Sequence, residues 1–381
     1  MSWLKCFHKL MKIPLYKPYV SKKEIGAVLR VLKSKKLSRG QEVESFEKEF
    51  ARYTNKKYAV AVNSGTSGLH LLVRAMGWKS DDEVITTPFS YIASSNALLF
   101  ENVKPVFVDI DIDTLNIDPE KIEEKINIKT KGMLLVDIFG LSVDKDKLLK
   151  IKNKYKLQVI EDSCEALGRS NNDFAAGNLA DATVYGFHEN KQLTTAGEGG
   201  MIVTDNVEIS RKCMAMRDQG RSLKKDWINN VILGFNFRMT EIQSAFGREQ
   251  LKNIDKILRK RELIAKKYSE GFKGMDKLSI PNQVSFNKRS WFLYFLIFDT
   301  SQIRNIVYES LLANNISSSK NYFPPIYDFP MYTGYKKDCR NTEIISKTLL
   351  VLPMFYEMNY KQVSRVVSVI KRALKKIYVS V

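Results

Sequence analysis

Three short segments carry residue types that could bind a ligand or react with one, and each follows an apolar run. The first, residues 63–68, reads NSGTSG and lies where a strand-like run gives way to helical spacing. Backbone N–H groups at a helix N-terminus bind anions, and glycines let a ligand approach them closely. An ordinary capped turn has the same composition. The segment lacks the GxGxxG and GxxxxGKS/T patterns, so it does not indicate a dinucleotide or P-loop site.

The other two segments supply an acid and a lysine. Residues 159–162 read VIED, and a carboxylate such as Asp162 could hold a cationic group or could simply be solvated. Residues 187–191 read FHENK and lead into the Gly/Thr-rich run TTAGEGG. A lysine in such a loop is usually solvated, but Lys191 could form a Schiff base if it were desolvated near a cation. His188 is more often a packing or hydrogen-bonding residue than a catalyst.

Alternating strand-like and helical patterns surround these segments and predict how they are positioned. Near-continuous apolar runs separated by amphipathic segments are typical of a mostly parallel sheet with helices on both faces. Such sheets bind ligands at the carboxyl ends of their strands. The predicted strands are 58–63, 83–87, 105–110, 133–139, 157–161, 182–187 and 201–204, and the predicted helices are 66–76, 93–101 and 119–126.

The pattern changes after about residue 239. Helical spacing predicts one long helix at 239–272, and apolar aromatic residues predict a strand at 289–299. An N-terminal helix at 24–33 could pack on either part of the chain. Two further amphipathic helices are predicted at 302–314 and 362–378. The chain is therefore predicted to have an N-terminal extension at 1–12, a large ligand-binding α/β domain at 13–250 and a small α+β domain at 251–381.

Composition and charge exclude several classes of protein. Of the 381 residues, 44% are hydrophobic and 27% are charged, which excludes a disordered or low-complexity protein. The formal net charge is +19, but residues 1–37 and 361–381 carry most of that excess, so the body of the chain is nearly balanced. The chain has no zinc-finger or RNA-binding pattern, and nucleic acid is not an expected partner.

The cysteines and the N-terminal sequence indicate a compartment. Four scattered cysteines without a CxxC pair favour a reduced, cytoplasmic protein without a disulfide framework or a zinc site. Three histidines are too few for a histidine-rich metal centre, so no metal is expected. The first residues lack the features of a signal peptide, and no apolar run has the length of a membrane span.

An anion cradle, an acid and a lysine at the strand ends of one sheet are what pyridoxal 5′-phosphate requires. From about residue 13 onwards the chain also resembles the DegT/DnrJ/EryC1/StrS family of pyridoxal-phosphate-dependent nucleotide-sugar aminotransferases. An ordered series of motifs carries this resemblance. The motifs include IPLYKPYVSKKEI (13–25), AVNSGTSGLHLL (61–72), DEVITTPFSYIASSNA (82–97), VIEDSCEALG (159–168), FHENKQLTTAGEGGMIVTD (187–205) and GFNFRMTEIQSAFGREQL (234–251).

The resemblance implies an aspartate-aminotransferase-like fold, which is fold type I of the pyridoxal-phosphate enzymes, and a role for each matching residue. Lys191 would form the imine with the cofactor and later move the proton between cofactor and substrate carbon. Asp162 would keep the pyridine nitrogen protonated. Gly65 and Thr66 would bind the phosphate. Tyr91 would stack on the ring, although a tyrosine at a strand end could also belong to the core.

Three further positions are implied to contact the cofactor. His188 belongs to the lysine motif and is counted with the cofactor-binding residues. Glu165 falls where many family members have a Gln near the phenolic oxygen of the cofactor, and an acid there would alter that contact. Asn236 matches a position that reaches the phosphate of the neighbouring subunit's cofactor. The resemblance therefore implies a homodimer with shared active sites.

Three departures from the family pattern bear on these expectations. Gly186 stands where many relatives have a phosphate-binding Ser. The loop TTAGEGG has one residue more than the usual TTGEGG or TTAEGG, which could shift Glu198. Tyr327 stands where relatives commonly have His, which affects the expected substrate contacts. None of the three departures changes Lys191 or Asp162.

The expected reaction moves an amino group from an amino acid, glutamate by family habit, to a nucleotide-diphosphate-linked keto-sugar. The product would be an amino sugar for a glycan or a secondary metabolite, and loops at 223–231 and 322–328 would set the specificity. One alternative is a family offshoot that dehydrates keto-sugars, in which His replaces Lys191. The other is a regulator without turnover, which the presence of Lys191 and Asp162 makes the weaker interpretation.

Both basic ends of the chain have helical apolar spacing, so each is expected to pack an apolar face and expose its lysines. Two solvated basic faces are the simpler interpretation. Loose attachment to an anionic membrane surface is the alternative, since each lysine near such a surface adds about 1 kcal/mol. The predicted packing residues are Ile25, Val28, Leu29, Leu32, Val363, Val366, Ile370, Leu374 and Ile377.

Overall fold

A computed structural model describes residues 11–168, 179–222, 229–282 and 289–379. Most of the predicted N-terminal extension and residues 223–228 of the first predicted specificity loop lie outside the described residues. The described strands form two sheets. The strands of the larger sheet are β1 (Tyr58–Val62), β2 (Glu83–Thr86), β3 (Lys104–Phe107), β4 (Thr130–Val136), β5 (Gln158–Asp162), β6 (Ala182–Gly186) and β7 (Gly200–Thr204).

The larger sheet has seven strands in the order β1-β7-β6-β5-β4-β2-β3. Strand β7 is antiparallel to its neighbours β1 and β6, and all other neighbouring strands are parallel. The predicted, mostly parallel sheet is therefore confirmed. The helices are α1 (Lys22–Ser34), α2 (Gln41–Tyr53), α3 (Gly65–Ala75), α4 (Ala93–Leu99), α5 (Lys145–Tyr155), α6 (Val207–Met216), α7 (Glu241–Lys252), α8 (Ile254–Phe272), α9 (Ser301–Ala313), α10 (Arg340–Thr348) and α11 (Tyr360–Val379).

Helices cover both faces of this sheet, which explains why its strands are continuous apolar runs. Successive side chains of a strand point to opposite faces. On β5, Val159 belongs to the same core as Leu148 of α5, whereas the next residue, Ile160, packs in the core that contains α3 and α4. On β6, Tyr185 contacts the ring of Phe50 in α2. Both faces are thus covered by helices, and a ligand can bind only at the ends of the strands.

The second sheet is small and antiparallel, with strands β8 (Leu278–Ser279), β9 (Tyr294–Phe298) and β10 (Leu349–Leu352) in the order β10-β9-β8. Its core includes side chains from α8, α9 and α11. Ile13 also lies in this core and pairs with Ile316. Since α11 contributes to the same core, both ends of the described chain meet there. The division into domains at 1–12, 13–250 and 251–381 stays a prediction.

Two helix predictions were wrong in detail. The helix predicted at 119–126 is two 3-10 turns, because Ile126 is extended, with ψ 133°, and the segment before it is too short for a stable α-helix. The helix predicted at 239–272 is divided into α7 and α8 at Asn253, which has φ −106° and ψ 0°. The Asn253 side chain donates to the Glu249 carbonyl at 3.0 Å and so replaces a main-chain bond of the helix.

Two strands have other bounds than predicted, because a left-handed residue follows one of them and precedes the other. The strand predicted at 133–139 ends at Val136 as β4, and Phe139 has φ 53°. The strand predicted at 289–299 begins only at Tyr294 in β9, since Trp291 also has φ 53°. Both left-handed residues lie close to the ends of these strands and are buried in the core.

The two terminal helices differ in how they pack. On α11, Val363, Val366, Ile370 and Leu374 are buried, and Ile377 is half-buried, as predicted. Helix α1 packs on α7 through a different face, formed by Glu24, Ala27 and Val31. The prediction that Ile25, Leu29 and Leu32 would be packed was wrong, since they are 53%, 48% and 46% exposed. Small residues let α1 approach α7 closely, and the larger apolar ones face outward.

Within the described residues, no helix combines the length and the apolar character that crossing a bilayer would need.

Candidate active site

The carboxyl ends of β1, β2, β4, β5 and β6 surround a cavity of about 370 Å³. Because these strands are parallel, the loops that follow them meet at one edge of the sheet. Seven of the eight predicted site residues line this cavity, and Asn236 does not. The seven are Gly65, Thr66, Tyr91, Asp162, Glu165, His188 and Lys191. Their individual roles stay predictions.

The first wall of the cavity is the N-terminus of α3. Ser64 caps the helix by accepting the N–H of Ser67 at 3.1 Å, so Gly65 and Thr66 form the first turn. N–H groups of a first turn have no partner within the helix and can donate to an anion. A Cβ atom on Gly65 would lie 2.8 Å from the Cys164 Sγ, which is too close. A side chain at position 65 would therefore have to displace the Cys164 thiol.

Asp162 forms the floor of the cavity at the end of β5. Its Oδ2 accepts from the Ser94 hydroxyl at 2.7 Å, and its Oδ1 accepts from the Cys164 N–H at 3.1 Å. The side chain is buried, so these two donors fix its orientation. A carboxylate held in this way can accept a further bond from a protonated ring nitrogen.

Lys191 enters the cavity from the loop after β6 and is largely removed from water. Its side chain is 15% exposed, and its Nζ lies 4.1 Å from the centroid of the Phe292 ring. The amine donates to Glu165 Oε1 at 3.4 Å. The structure thus places Lys191 in the desolvated setting that Schiff-base chemistry requires, and not in the solvated one that such a loop usually gives.

Glu165 is the acidic partner of this lysine. Its Oε2 accepts from the Phe139 N–H at 3.1 Å. Burial raises the pKa of the Glu165 carboxyl, and the nearby charge of Lys191 and the Phe139 N–H act in the opposite direction without cancelling that rise. The carboxyl and the amine are in direct hydrogen-bond contact.

The Gly186 departure has a steric explanation in the neighbouring thiol. A Cβ atom on Gly186 would lie 3.1 Å from both the Cβ and the Sγ of Cys164. Cys164 thus fills the space that a larger residue at 186 would need. Burial raises the pKa of the Cys164 thiol well above its usual range, and the charge of Asp162 adds to the effect.

The loop after Lys191 accommodates its additional residue in a left-handed turn. Ala196 has φ 62° and Gly197 has φ 126°. The Phe187 N–H donates to the Gly199 carbonyl at 2.8 Å, which keeps Gly199 at the cavity. The side chain of Glu198 also lines the cavity, with its Oε1 4.0 Å from the Nε2 of His188. The turn accommodates the additional residue, and the two ends of the loop keep their positions beside the sheet.

The remaining predicted residues lie at different depths. Tyr91 lines the cavity and is 65% exposed, so the alternative of a core tyrosine was wrong. The His188 Nδ1 lies 2.9 Å from Asn190 Oδ1, which is a hydrogen-bonding role. Asn236 is exposed and pairs through its backbone with Asp218. Tyr327 is buried against Phe107 and does not line the cavity.

Three residues of the site were missed as individual contributors. Ser94 bonds Asp162, but a serine at the start of a helix has no distinctive pattern. Phe292 lies under Lys191 and was interpreted only as part of a strand. Tyr322 lies within a predicted specificity loop, and burial together with the charge of Glu165 raises its pKa well above its usual range. Only the loop that holds Tyr322 could have been found from the sequence.

The cavity fits pyridoxal 5′-phosphate in its volume and its donor groups. The α3 N-terminus can hold the phosphate at Gly65 and Thr66, and substitution of Gly65 would close the cradle against Cys164. The fixed carboxylate of Asp162 suits the pyridine nitrogen. The desolvated amine of Lys191 suits the carbonyl carbon.

Known proteins resemble this chain in sequence over most of its length. A model of the DegT/DnrJ/EryC1/StrS aminotransferase family matches residues 18–371. The chain is 34% identical to the spore coat polysaccharide biosynthesis protein SpsC of Bacillus subtilis, over 95% of this chain and 97% of that protein. It is 31% identical to the GDP-perosamine synthase of Escherichia coli O157:H7, over 92% of this chain and 95% of that protein.

Solved structures show the same fold. PseC of Helicobacter pylori, an aminotransferase of pseudoaminic acid biosynthesis, superimposes with a TM-score of 0.90 at 31% identity, over 96% of this chain and all of that chain. NtdA of Bacillus subtilis, solved with its bound cofactor PMP, superimposes with a TM-score of 0.86 at 28% identity, over 93% and 83% of the two chains. These findings confirm the type I fold, the pyridoxal-phosphate cofactor and the aminotransferase activity. The chain belongs to the DegT/DnrJ/EryC1/StrS aminotransferase family.

Proposed function

We propose that this aminotransferase moves an amino group from an amino acid, glutamate, to a nucleotide-diphosphate-linked keto-sugar. The observation that carries the proposal is the convergence of Lys191 and Asp162 on one cavity beside an anion cradle. The acceptor class is supported by relatives whose names refer to GDP-perosamine and to a UDP-linked amino sugar. The product is an amino sugar for the assembly of a polysaccharide or another glycoside.

Each step of the proposed reaction depends on a residue in the cavity. The bound cofactor supplies an electron sink for the bonds at the reacting carbon. Asp162 holds a proton on the ring nitrogen, and the α3 N-terminus binds the phosphate. Lys191 takes a proton from one carbon and returns it to another, which is general acid–base work by a positioned amine. Tyr91, which lines the open side of the cavity, would stack on the ring.

Aromatic side chains keep water away from the reacting amine. Phe292 lies directly under the Lys191 Nζ, and Tyr322 and Phe323 line the cavity on the same side as the second sheet. Exclusion of water strengthens the interactions between charges inside a site. The Lys191 amine is therefore poorly solvated even before the keto-sugar binds.

We also propose a homodimer in which the two active sites share residues. Asn236 is exposed at the surface, yet its segment is fixed to the edge of the large sheet, since the Asn63 N–H donates to the Phe237 carbonyl at 2.9 Å. The backbone is thus fixed while the polar side chain of Asn236 is exposed beside the cradle, so it is well placed to reach into a neighbouring subunit.

The cellular setting that we propose is the cytoplasm, with loose attachment to an anionic membrane surface. The three described cysteines, Cys164, Cys213 and Cys339, are free, which suits a reducing compartment. The exposed apolar residues of α1 and the lysines beside them support the membrane contact.

Borohydride trapping tests the proposed cofactor attachment. Protein incubated with pyridoxal 5′-phosphate and then reduced should carry one phosphopyridoxyl group on Lys191, located by peptide mass spectrometry. Lys191→Ala should lose the adduct, whereas Lys150→Ala on the exposed side of α5 should keep it. Wild-type protein without an adduct on Lys191 would refute the proposal.

The acceptor is then identified with the pyridoxamine form of the protein. We expect the visible absorbance of the lysine-bound cofactor to return when a UDP-, GDP- or dTDP-linked keto-sugar accepts the amino group. The mass of the product distinguishes amination from dehydration, since only amination adds nitrogen. A panel in which no keto-sugar restores the absorbance would contradict the acceptor class.

A further inference from the structure

Glu165 is a buried carboxylate that lines the cavity. It has no role in the reaction proposed above. It follows β5, three residues after Asp162, and its two oxygens have different partners. Oε1 accepts from the Lys191 amine at 3.4 Å, and Oε2 accepts from the Phe139 N–H at 3.1 Å. The carboxylate thus connects the reacting amine to the protein backbone.

The position of this carboxylate is determined by the hydrophobic core. Phe139 has φ 53° and ψ 31°, a left-handed conformation that costs free energy for a bulky residue. Its ring stacks on Phe323 at 5.4 Å and also contacts Phe89, so core packing holds this conformation. The strained turn directs the Phe139 N–H at Glu165, and the carboxylate cannot follow the lysine far from its place.

The charges around Glu165 leave Lys191 as its partner. The titratable groups that interact with Glu165 are Lys191, Asp162, Cys164 and Tyr322. Lys191 is the cation among these described groups. Asp162 already accepts bonds from Ser94 and from a backbone N–H, so it is committed elsewhere. An ammonium group that is mostly buried needs a counter-ion close by, and Glu165 is in contact with it.

We propose that Glu165 is a positioning residue that acts as the counter-ion of Lys191 during the reaction. The inference rests on the proposed function. Whenever Lys191 carries a proton, the carboxylate stabilises the ammonium form, so the lysine is a stronger base toward the substrate carbon. The Phe139 N–H holds the carboxylate in this position independently of the lysine.

Trace labelling of the cofactor-free protein tests this inference without using activity. A small amount of acetic anhydride labels unprotonated amines, and peptide mass spectrometry measures labelling of Lys191 across a range of pH. Glu165→Gln keeps the shape of the side chain and removes its charge. We expect the pH of half-maximal labelling to fall by about one unit or more, which is about tenfold more reactive amine at a fixed lower pH.

Two further variants make the result specific. Glu165→Asp keeps the charge at a greater distance and should give a smaller shift in the same direction, and it serves if Glu165→Gln does not fold. Glu189→Gln removes an acid that bonds Tyr16 in the same loop, and labelling of Lys191 should match the wild type. Equal labelling midpoints in the wild type and the folded Glu165 variants would overturn the inference.

The outcomes also separate this inference from the proposed function. A change in the amount of Lys191 labelling without a change in its pH midpoint would indicate a purely structural role for Glu165 and would reject the counter-ion. Failure of borohydride trapping on Lys191 in the wild type would instead reject the proposed function, because acetic anhydride labelling does not involve the cofactor.

Discussion

Cys164 and Gly186 show how a pair of small residues can shape a ligand cavity. The thiol fills the space beside Gly186 and also lies against Gly65, so the end of β6, the start of α3 and the loop after β5 fit together at the cradle. A hydroxyl at 186, which the family resemblance led us to expect, would have to displace the thiol. The missing phosphate contact is therefore a consequence of local packing.

Serine at position 186 tests this packing argument. Gly186→Ser alone should lower stability by about 1–3 kcal/mol, the usual cost of overpacking, and should weaken the binding of pyridoxal 5′-phosphate. Cys164→Ala/Gly186→Ser should recover most of both losses, because the alanine vacates the space. Urea unfolding and cofactor titration measure the two effects, with Cys164→Ala as the control. A double variant no better than the single one would contradict the steric explanation.

At the scale of single residues, the sequence was informative where a residue type is tied to a chemistry. The lysine after β6, the acid that ends β5 and the glycine at the start of α3 were all placed at the cavity correctly. Ser94 and Phe292 were not found, because serines and phenylalanines occur in many settings and only the fold brings these two beside Asp162 and Lys191.

Glu241 illustrates a contact between elements that no local pattern reveals. Helix α2 begins at Gln41 after Gly40, which has no side chain to cap the helix. The buried carboxylate of Glu241, on α7, accepts the N–H groups of Gly40, Glu42 and Val43 at 2.9, 2.9 and 3.2 Å. A capping residue is thus supplied from a distant part of the chain, and it joins α2 to α7.

Removal of this remote cap should destabilise the protein measurably. Glu241→Gln keeps the size of the side chain but loses the negative charge at the helix N-terminus, and we expect a loss of about 1–2 kcal/mol. Urea unfolding measures the change. The matched control is Glu44→Gln, an exposed acid in the first turn of the same helix, which should change stability by less than about 0.5 kcal/mol. An equal effect of both substitutions would show that the cap is not specific.

Helices and strands were predicted well where the pattern of apolar residues was strong. They were predicted poorly where packing against other elements determined the structure. The strands of the large sheet were found because burial on both faces makes them apolar throughout. Helix α1 has correct helical spacing, but its packing face was predicted wrongly. Ala27 and Val31, the smaller residues, fit against α7, and nothing in the spacing of apolar residues shows which of two apolar stripes a neighbour will cover.

At the scale of the whole molecule, the exposed stripe of α1 gives the basic N-terminal end a second property besides charge. Ile25, Leu29 and Leu32 face outward, with exposed lysines such as Lys22 and Lys33 beside them. The one acid of the helix, Glu24, is buried and bonded to Gln250. A helix with an apolar stripe flanked by lysines matches an anionic lipid surface.

Vesicle co-sedimentation tests the proposed membrane contact. The wild type should sediment with vesicles rich in phosphatidylserine at low ionic strength and should be released by salt. Ile25→Ser/Leu29→Ser/Leu32→Ser should reduce binding at least tenfold. All three residues are exposed, so the fold should be preserved. Absence of binding at low salt would refute the contact. A triple variant that instead separates a dimer would assign the stripe to a second copy of the chain.

The position of β1 at the edge of the large sheet has a consequence for how the protein is made. Among the described strands, β1 pairs with β7 alone, and β7 is the last strand of that sheet to leave the ribosome. The start of α3 follows β1, so the strand that leads into the phosphate cradle has no partner in the sheet until β7 has been synthesised. Ile13 pairs with Ile316, which is synthesised later still. A nascent chain interrupted before β7 therefore has the lysine motif but lacks the sheet partner of β1, so the site is completed late in synthesis.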